Sequence, residues 1–259
     1  VEARFPKIVV PQSGDMRVSG RRAAILRGWC VLLALLGAAL LLFGDAFARR
    51  EAPFAGRFMF RTYGEEEGLS DLSVECVIQD RTGFLWAGTD VGLFRFDGRR
   101  FVKYDTGQGL PRTRISQLYE PPAGTLYVGT GLGLARRDGD RFAIIGGKSG
   151  LGPFAISHQG IAADNHGNVY VGTDRGLFVG QAEHFHEDRE ATGDGETAIT
   201  AVHVDDKGVV YFARGGLLFQ RLGGHAVEFG RPRGLPTDET IDEVLSDAKG
   251  RLWVRTLKR

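Results

Sequence analysis

The sequence predicts an all-β chain, a β-propeller of four-stranded antiparallel blades with about 42 residues per blade. Three observations predict it. The phrase Asp80-Arg81-Thr82-Gly83-Phe84-Leu85-Trp86-Ala87-Gly88-Thr89 returns around Gly124, Gly167, Gly208 and Gly250, so the turn glycines from Gly83 onward are separated by 41, 43, 41 and 42 residues. The aromatic residues Trp86, Tyr127, Tyr170, Tyr211 and Trp253 repeat at the same four intervals. No window sustains a 3.6-residue period, which excludes a helical solenoid and leaves the strand-built repeat of this length.

The 259 residues carry a formal net charge of +1. Residues 1–15 read as a leader outside the fold, with Met16 a plausible start. Residues 16–48 read as a secretory signal or signal anchor. Arg17, Arg21, Arg22 and Arg27 precede an apolar run from Trp29 to Phe43, and Ala46-Phe47-Ala48 follows. That run is short of the roughly 20 apolar residues of a spanning helix. Arg49-Arg50 just beyond the proposed cut keeps the uncleaved alternative open. Either form places the repeats outside the cytoplasm, here the periplasm. A linker, 49–56, leads to Arg57-Phe58-Met59-Phe60-Arg61-Thr62-Tyr63, which reads as an outer strand completing a last blade and so closing a ring.

The blades then follow in order over 72–104, 114–145, 156–187 and 198–229, with an incomplete one over 240–259. In the first, Val74 to Gln79 is an apolar strand. Asp80 to Gly83 has Asp at the first and Gly at the fourth position of a turn. Phe84 to Thr89 and Leu93 to Asp97 are the second and third strands, joined at Asp90-Val91-Gly92. Asp97-Gly98 is a hairpin signal before the fourth strand, Arg100 to Tyr104. Gly68-Leu69, Gly109-Leu110, Gly150-Leu151 and Gly234-Leu235 mark the lead-in to each unit, while the fourth unit has Gly193-Asp194-Gly195-Glu196 instead. The sequence thus reads as one outer strand, four blades and half of a fifth.

These residues resemble the two-component regulator propeller family, whose repeat runs Asp-x-x-Gly-x-Leu-Trp-apolar-Gly-Thr, Gly-Leu, aromatic, Asp-Gly. The stretch from Val77 to Phe101 matches almost every position, and Glu67-Gly68-Leu69-Ser70 matches the lead-in. The resemblance implies an extracytoplasmic sensor domain of a histidine kinase, hybrid two-component or diguanylate cyclase receptor. It also implies a small-molecule ligand of oligosaccharide type, downstream modules of the same receptor, a homodimer and an anchor in the inner membrane.

Charge and motif searches point away from several other classes. Residues 49–259 hold 27 Lys and Arg against 29 Asp and Glu with no basic stripe, which argues against nucleic acid. With Cys30 inside the signal, Cys76 stands alone, so no disulfide framework exists. The Asp-x-x-Gly turns offer too few oxygens for calcium. His184 and His186 share one face of a strand at a spacing that suits zinc, but a solvated outer strand is the simpler reading. Gly146-Gly147-Lys148-Ser149 ends like a phosphate loop, yet Phe142 stands where that loop needs glycine. We therefore expect no catalytic residue, no metal and no cofactor in this segment. Gly83, Trp86, Gly124, Tyr127, Gly167, Tyr170, Gly208, Tyr211, Gly250 and Trp253 are assigned to building the blades. Recognition is assigned to the loops that differ between copies, carrying Asp71, Asp90, Arg112, Arg114, Asp174, Arg175 and Arg214. The alternatives are a propeller enzyme, of the quinone-dependent dehydrogenase or polysaccharide lyase type, and a protein-binding scaffold.

Overall fold

Each copy of the phrase folds as an antiparallel meander. The first unit comprises β1 (Val74–Gln79), β2 (Leu85–Thr89), β3 (Gly92–Phe96) and β4 (Phe101–Tyr104). The second comprises β5 (Ile115–Tyr119), β6 (Tyr127–Thr130), β7 (Gly133–Asp138) and β8 (Arg141–Ile145). The third holds β9 (Ile156–Ala163), β10 (Val169–Thr173), β11 (Gly176–Gln181) and β12 (His184–Glu187). The fourth holds β13 (Ile199–Val204), β14 (Val210–Arg214), β15 (Leu217–Leu222) and β16 (His225–Glu228). A two-stranded fifth unit pairs β17 (Glu239–Ser246) with β18 (Leu252–Lys258). This computed structural model describes residues 60–258 apart from 112, 113, 123, 194 and 196. The predicted leader, signal and linker, together with residues 57–59, lie outside the described residues. The repeats belong to one compact unit that starts at Arg61. Among the described residues no helix is long and apolar enough to cross a membrane.

The turn aspartate explains the first half of the phrase. Asp80 Oδ1 accepts the N–H groups of Thr82 and Phe84 at 2.9 and 3.0 Å, and Gly83 takes φ +91°, a left-handed geometry that favours glycine. Asp164, Asp205 and Asp247 hold the N–H groups two and four residues on in the same way. The aromatic residue six positions on returns to the carboxylate. Trp86 Nε1 donates to Asp80 Oδ2 at 2.8 Å, and Tyr170 Oη and Trp253 Nε1 do so to Asp164 and Asp247.

The Gly-Thr pair explains the second half. Thr89, Thr130 and Thr173 each donate Oγ1 to the carbonyl three residues on and accept the N–H two residues on, which closes the turn between second and third strands. The glycine before each threonine seats the next unit. A Cβ on Gly88, Gly129 or Gly172 would meet Cγ2 of Ile115, Ile156 or Ile199 at 2.6, 2.8 or 2.9 Å. That isoleucine opens the first strand of the following unit, so the core lies between blades rather than within them. Trp86 is fully buried there, 5.9 Å from the ring of Phe142 in the second unit, with the Arg137 guanidinium 5.1 Å over its face.

Three departures from the expected pattern matter. First, the lead-in to the fourth unit is a short helix, α1 (Arg189–Thr192), with the Asp188 side chain accepting from Ala191 N–H and Gly193 ending it at φ +75°. Second, residues 60–63, the described end of the expected outer strand 57–63, form no strand. Tyr63 instead docks edge-on against Phe96 and Phe101 at 5.0 and 5.9 Å. Third, the interval of 43 residues has a location. From first-strand isoleucine to turn glycine is nine residues in Ile115–Gly124, Ile199–Gly208 and Ile241–Gly250, but eleven in Ile156–Gly167. The surplus sits in a wide bulge of β9, where pairing with β10 jumps from Ile161 to Ile156 while the partner advances only from Val171 to Thr173. Within the bulge, Gln159 forms a parallel bridge with Ala201, which fuses the third and fourth units into one eight-stranded sheet.

Candidate functional site

First strands of all units carry a bulge near their start, and in the first, third and fourth units the residue at that bulge reaches the next unit. Ser157 Oγ donates to the Ile199 carbonyl at 2.5 Å and Thr200 Oγ1 to the Ile241 carbonyl at 2.6 Å. Glu75, at this position in the first unit, accepts from Arg114 Nη2 at 3.0 Å. Ser116, its counterpart in the second unit, is 6% exposed and its Oγ has no hydrogen-bond partner among the described residues.

Around Ser116 opens a cavity of about 300 Å³ to which three consecutive units contribute. Arg114 and Ser116 come from the start of β5, Ser157 and His158 from the β9 bulge, Asp174 from the β10–β11 turn, and Ala198 from the approach to β13. His158 is one of the residues added by the insertion. Its neighbour Gln159 reaches across to the fifth unit, donating to Glu243 Oε1 at 3.2 Å and accepting from Val244 N–H at 3.3 Å. The insertion therefore both walls the cavity and braces it.

The sequence-predicted rim residues do not all converge. Arg114 and Asp174 line the cavity. Asp174 is fixed by a reciprocal backbone exchange with Ala155, in which its Oδ1 accepts from Ala155 N–H and its own N–H donates to the Ala155 carbonyl, both at 3.1 Å. Asp71 and Asp90 are not among the lining residues, although Asp90 pairs with Arg114, which is one of them. Asp71 Oδ2 accepts from Val91 N–H at 3.2 Å, and Asp90 lies 3.7 Å from Arg114 Nε. The Ser73 N–H, at 3.1 Å from its carboxylate, holds Asp71 below the usual carboxylate range. Arg175 supplies its backbone N–H to the Thr173 hydroxyl at the neighbouring turn. Arg214 does not join the cavity. It donates to the carbonyls of Ala191 and Glu190 and lies 4.5 Å over the Phe219 ring, which secures α1. Arg112 lies outside the described residues.

Sequence reasoning missed Ser116, Ser157 and His158. The surplus of two in one repeat interval was the signal that would have found the last two.

Chemically the cavity offers one guanidinium, one imidazole, one carboxylate and hydroxyls to a polar ligand. Ser157 spends its hydroxyl on a carbonyl, so it is not set against His158 as a nucleophile. The Ser–His contact elsewhere, His203 Nε2 to Ser246 Oγ at 2.8 Å, occupies the repeat position where Tyr119 Oη accepts from Ala163 N–H. It is a seat between units. Among the described residues no three His, Cys, Asp or Glu side chains gather as a metal site, and His184 and His186 are exposed on β12. Cys76 is half-buried on β1, where loss of solvent pushes its thiol up to about 12.

No family model matches the chain, and no curated protein matches it. Solved structures do. The extracellular domain of BT3049 from B. thetaiotaomicron, described as a putative hybrid two component system, superposes with a TM-score of 0.62 at 21% identity, over 76% of this chain and 29% of that one. The extracellular domain of BT4673 from the same organism, described as a putative one component system, gives 0.60 at 20% identity over 78% and 27%. Virginiamycin B lyase of Staphylococcus aureus gives 0.54 at 14% identity over 70% and 62%. The chain thus spans less than a third of each of these two extracellular domains. At these identities the likeness establishes the propeller fold.

Proposed function

We propose that this chain is the ligand-sensing, non-catalytic propeller segment of an exported, membrane-anchored bacterial signalling receptor of the two-component type. One observation carries the reading. Polar side chains that differ between otherwise repeated units converge on one cavity shared by three units, on a scaffold whose repeated Asp, Gly and Thr positions form turns and seat neighbouring units. The presence of the same fold in two extracellular domains of signalling systems supports it. So do the positive region and apolar run of residues 16–48, which supply the export signal the reading needs. Ligand binding at a cavity that bridges three units would favour one packing of those units over another, and that bias is what passes to downstream modules.

The test is a thermal-shift and calorimetric screen of the full chain against neutral and charged oligosaccharides, the ligand class implied by the family resemblance. A saturable shift that is lost in both Arg114→Ala and His158→Ala is the expected result. A ligand that binds equally well to both variants, or turnover of any member of the panel, would overturn the reading.

A further inference from the structure

A second cavity, of about 360 Å³, opens at the outer edge between the second and third units, away from the rim residues. Its walls are β8, the turn that follows it, and the start of β12. The charged lining is Arg136 and Lys148 against the single acid Glu183, with the His184 imidazole and the Ser149 hydroxyl alongside. We propose that this groove binds a tetrahedral oxyanion, a phosphate or sulfate group.

Comparison with sister junctions isolates what is unusual. Arg136 bonds Glu183 at 2.9 Å, as Arg95 pairs with Asp140 at 3.8 Å one junction earlier, so that arginine is partly committed to joining blades. The following turns differ. At the earlier junction the turn carries its own anion, since Asp105 Oδ1 accepts from Gly107 N–H at 2.9 Å. At this one Gly146 replaces the aspartate and Lys148 replaces the glycine, so an internal carboxylate is exchanged for a cation. The basic turn before the fifth unit looks alike in sequence but is satisfied internally. Its Arg231 is bonded to Glu228 and its Arg233 lies 3.8 Å over the Phe229 ring. Lys148 has no acid paired with it among the described residues, and the Ser149 hydroxyl, shielded from solvent, has no hydrogen-bond partner there either. An oxyanion in the groove would give both a partner. Lysine serves as a point charge for phosphate and a hydroxyl as an uncharged donor, which is the usual division of work in oxyanion recognition. The absence of the phosphate-loop glycine at Phe142 shows that no wrapped nucleotide loop is involved.

The probes are inorganic phosphate and sulfate, titrated into the full chain at constant ionic strength with chloride as the reference, with backbone amide chemical shifts as readout. Saturable shifts confined to Gly146–Gly150 and His184, given by either oxyanion and not by chloride, are expected. Lys148→Glu should weaken binding at least tenfold and Lys148→Met by less, while Arg114→Ala leaves it unchanged, which separates this groove from the rim cavity. Lys148 is exposed, so both variants should retain the wild-type far-ultraviolet circular dichroism. Shifts that chloride reproduces, that fail to saturate, or that persist undiminished in Lys148→Glu would overturn the proposal.

Discussion

Trp86 and Trp253 are the same residue in repeat terms and opposite residues in physical terms. Trp86 is fully buried against Tyr104 and Phe142, whereas Trp253 is 57% exposed because no following unit covers it in this structure. Trp86→Ala should therefore destabilise the chain by about 3–5 kcal/mol and Trp253→Ala by under about 1 kcal/mol, measured by denaturant titration. Asp80 follows the same logic in charge. Burial raises the pKa of its carboxyl, but hydrogen bonds from the Thr82 hydroxyl, Trp86 Nε1 and the Phe84 N–H outweigh that and lower it overall. A carboxylate lowered in the folded state adds stability above its unfolded value of about 3.9, and that stability disappears as pH falls through the folded value. Asp80→Asn should flatten this acid limb in unfolding curves recorded below pH 4. Cys76, with its thiol pushed up to about 12, should resist alkylation at pH 8 in the folded chain and react promptly once denatured.

At the scale of elements, the first strands decide what differs between units. His203 on β13 is held neutral by burial, against the opposing pull of Asp205 and Asp206. A histidine lowered in this way costs stability as pH falls from about 6.5 toward the folded value, because the unfolded chain binds the proton more readily. Acidification from pH 7 to 5 should lower the melting temperature, and His203→Gln should remove that part of the loss. The strands, the turn aspartates and the packing glycines were legible because each answers a local rule that recurs at every copy. The cavity was legible only in part. Arg114 and Asp174 stood out as loop residues that vary between copies, but Ser157 and His158 lie in a bulge whose sequence has no turn or strand-breaking signature, and only register counting against sister units exposes it. Arg214 misled for the converse reason. It replaces the threonine of the turn, which marks it as variable, but the variation serves α1, a helix of one turn with no periodic pattern to announce it.

For the molecule as a whole, cohesion comes from contacts between neighbouring units, as in any stacked repeat. The second and third units have a partner on each side. The fifth has two strands, and β18 leaves one backbone edge unpaired among the described residues. Amide hydrogen exchange should accordingly be slowest in β6 and β10 and fastest in β18, a gradient readable by mass spectrometry. Uniform protection across all units would show that they open only together.

The seating of Ile115, Ile156 and Ile199 into the glycines of the preceding unit has a direction, since every one of these contacts runs from a later segment into an earlier one. Synthesis runs the same way. As the ribosome extrudes each new first strand, its isoleucine meets a groove that the previous meander has already shaped, so every unit is born beside its own template. Assembly can then advance blade by blade behind the exit tunnel, and a stall of translation adds to the open face of the first unit only the newest face.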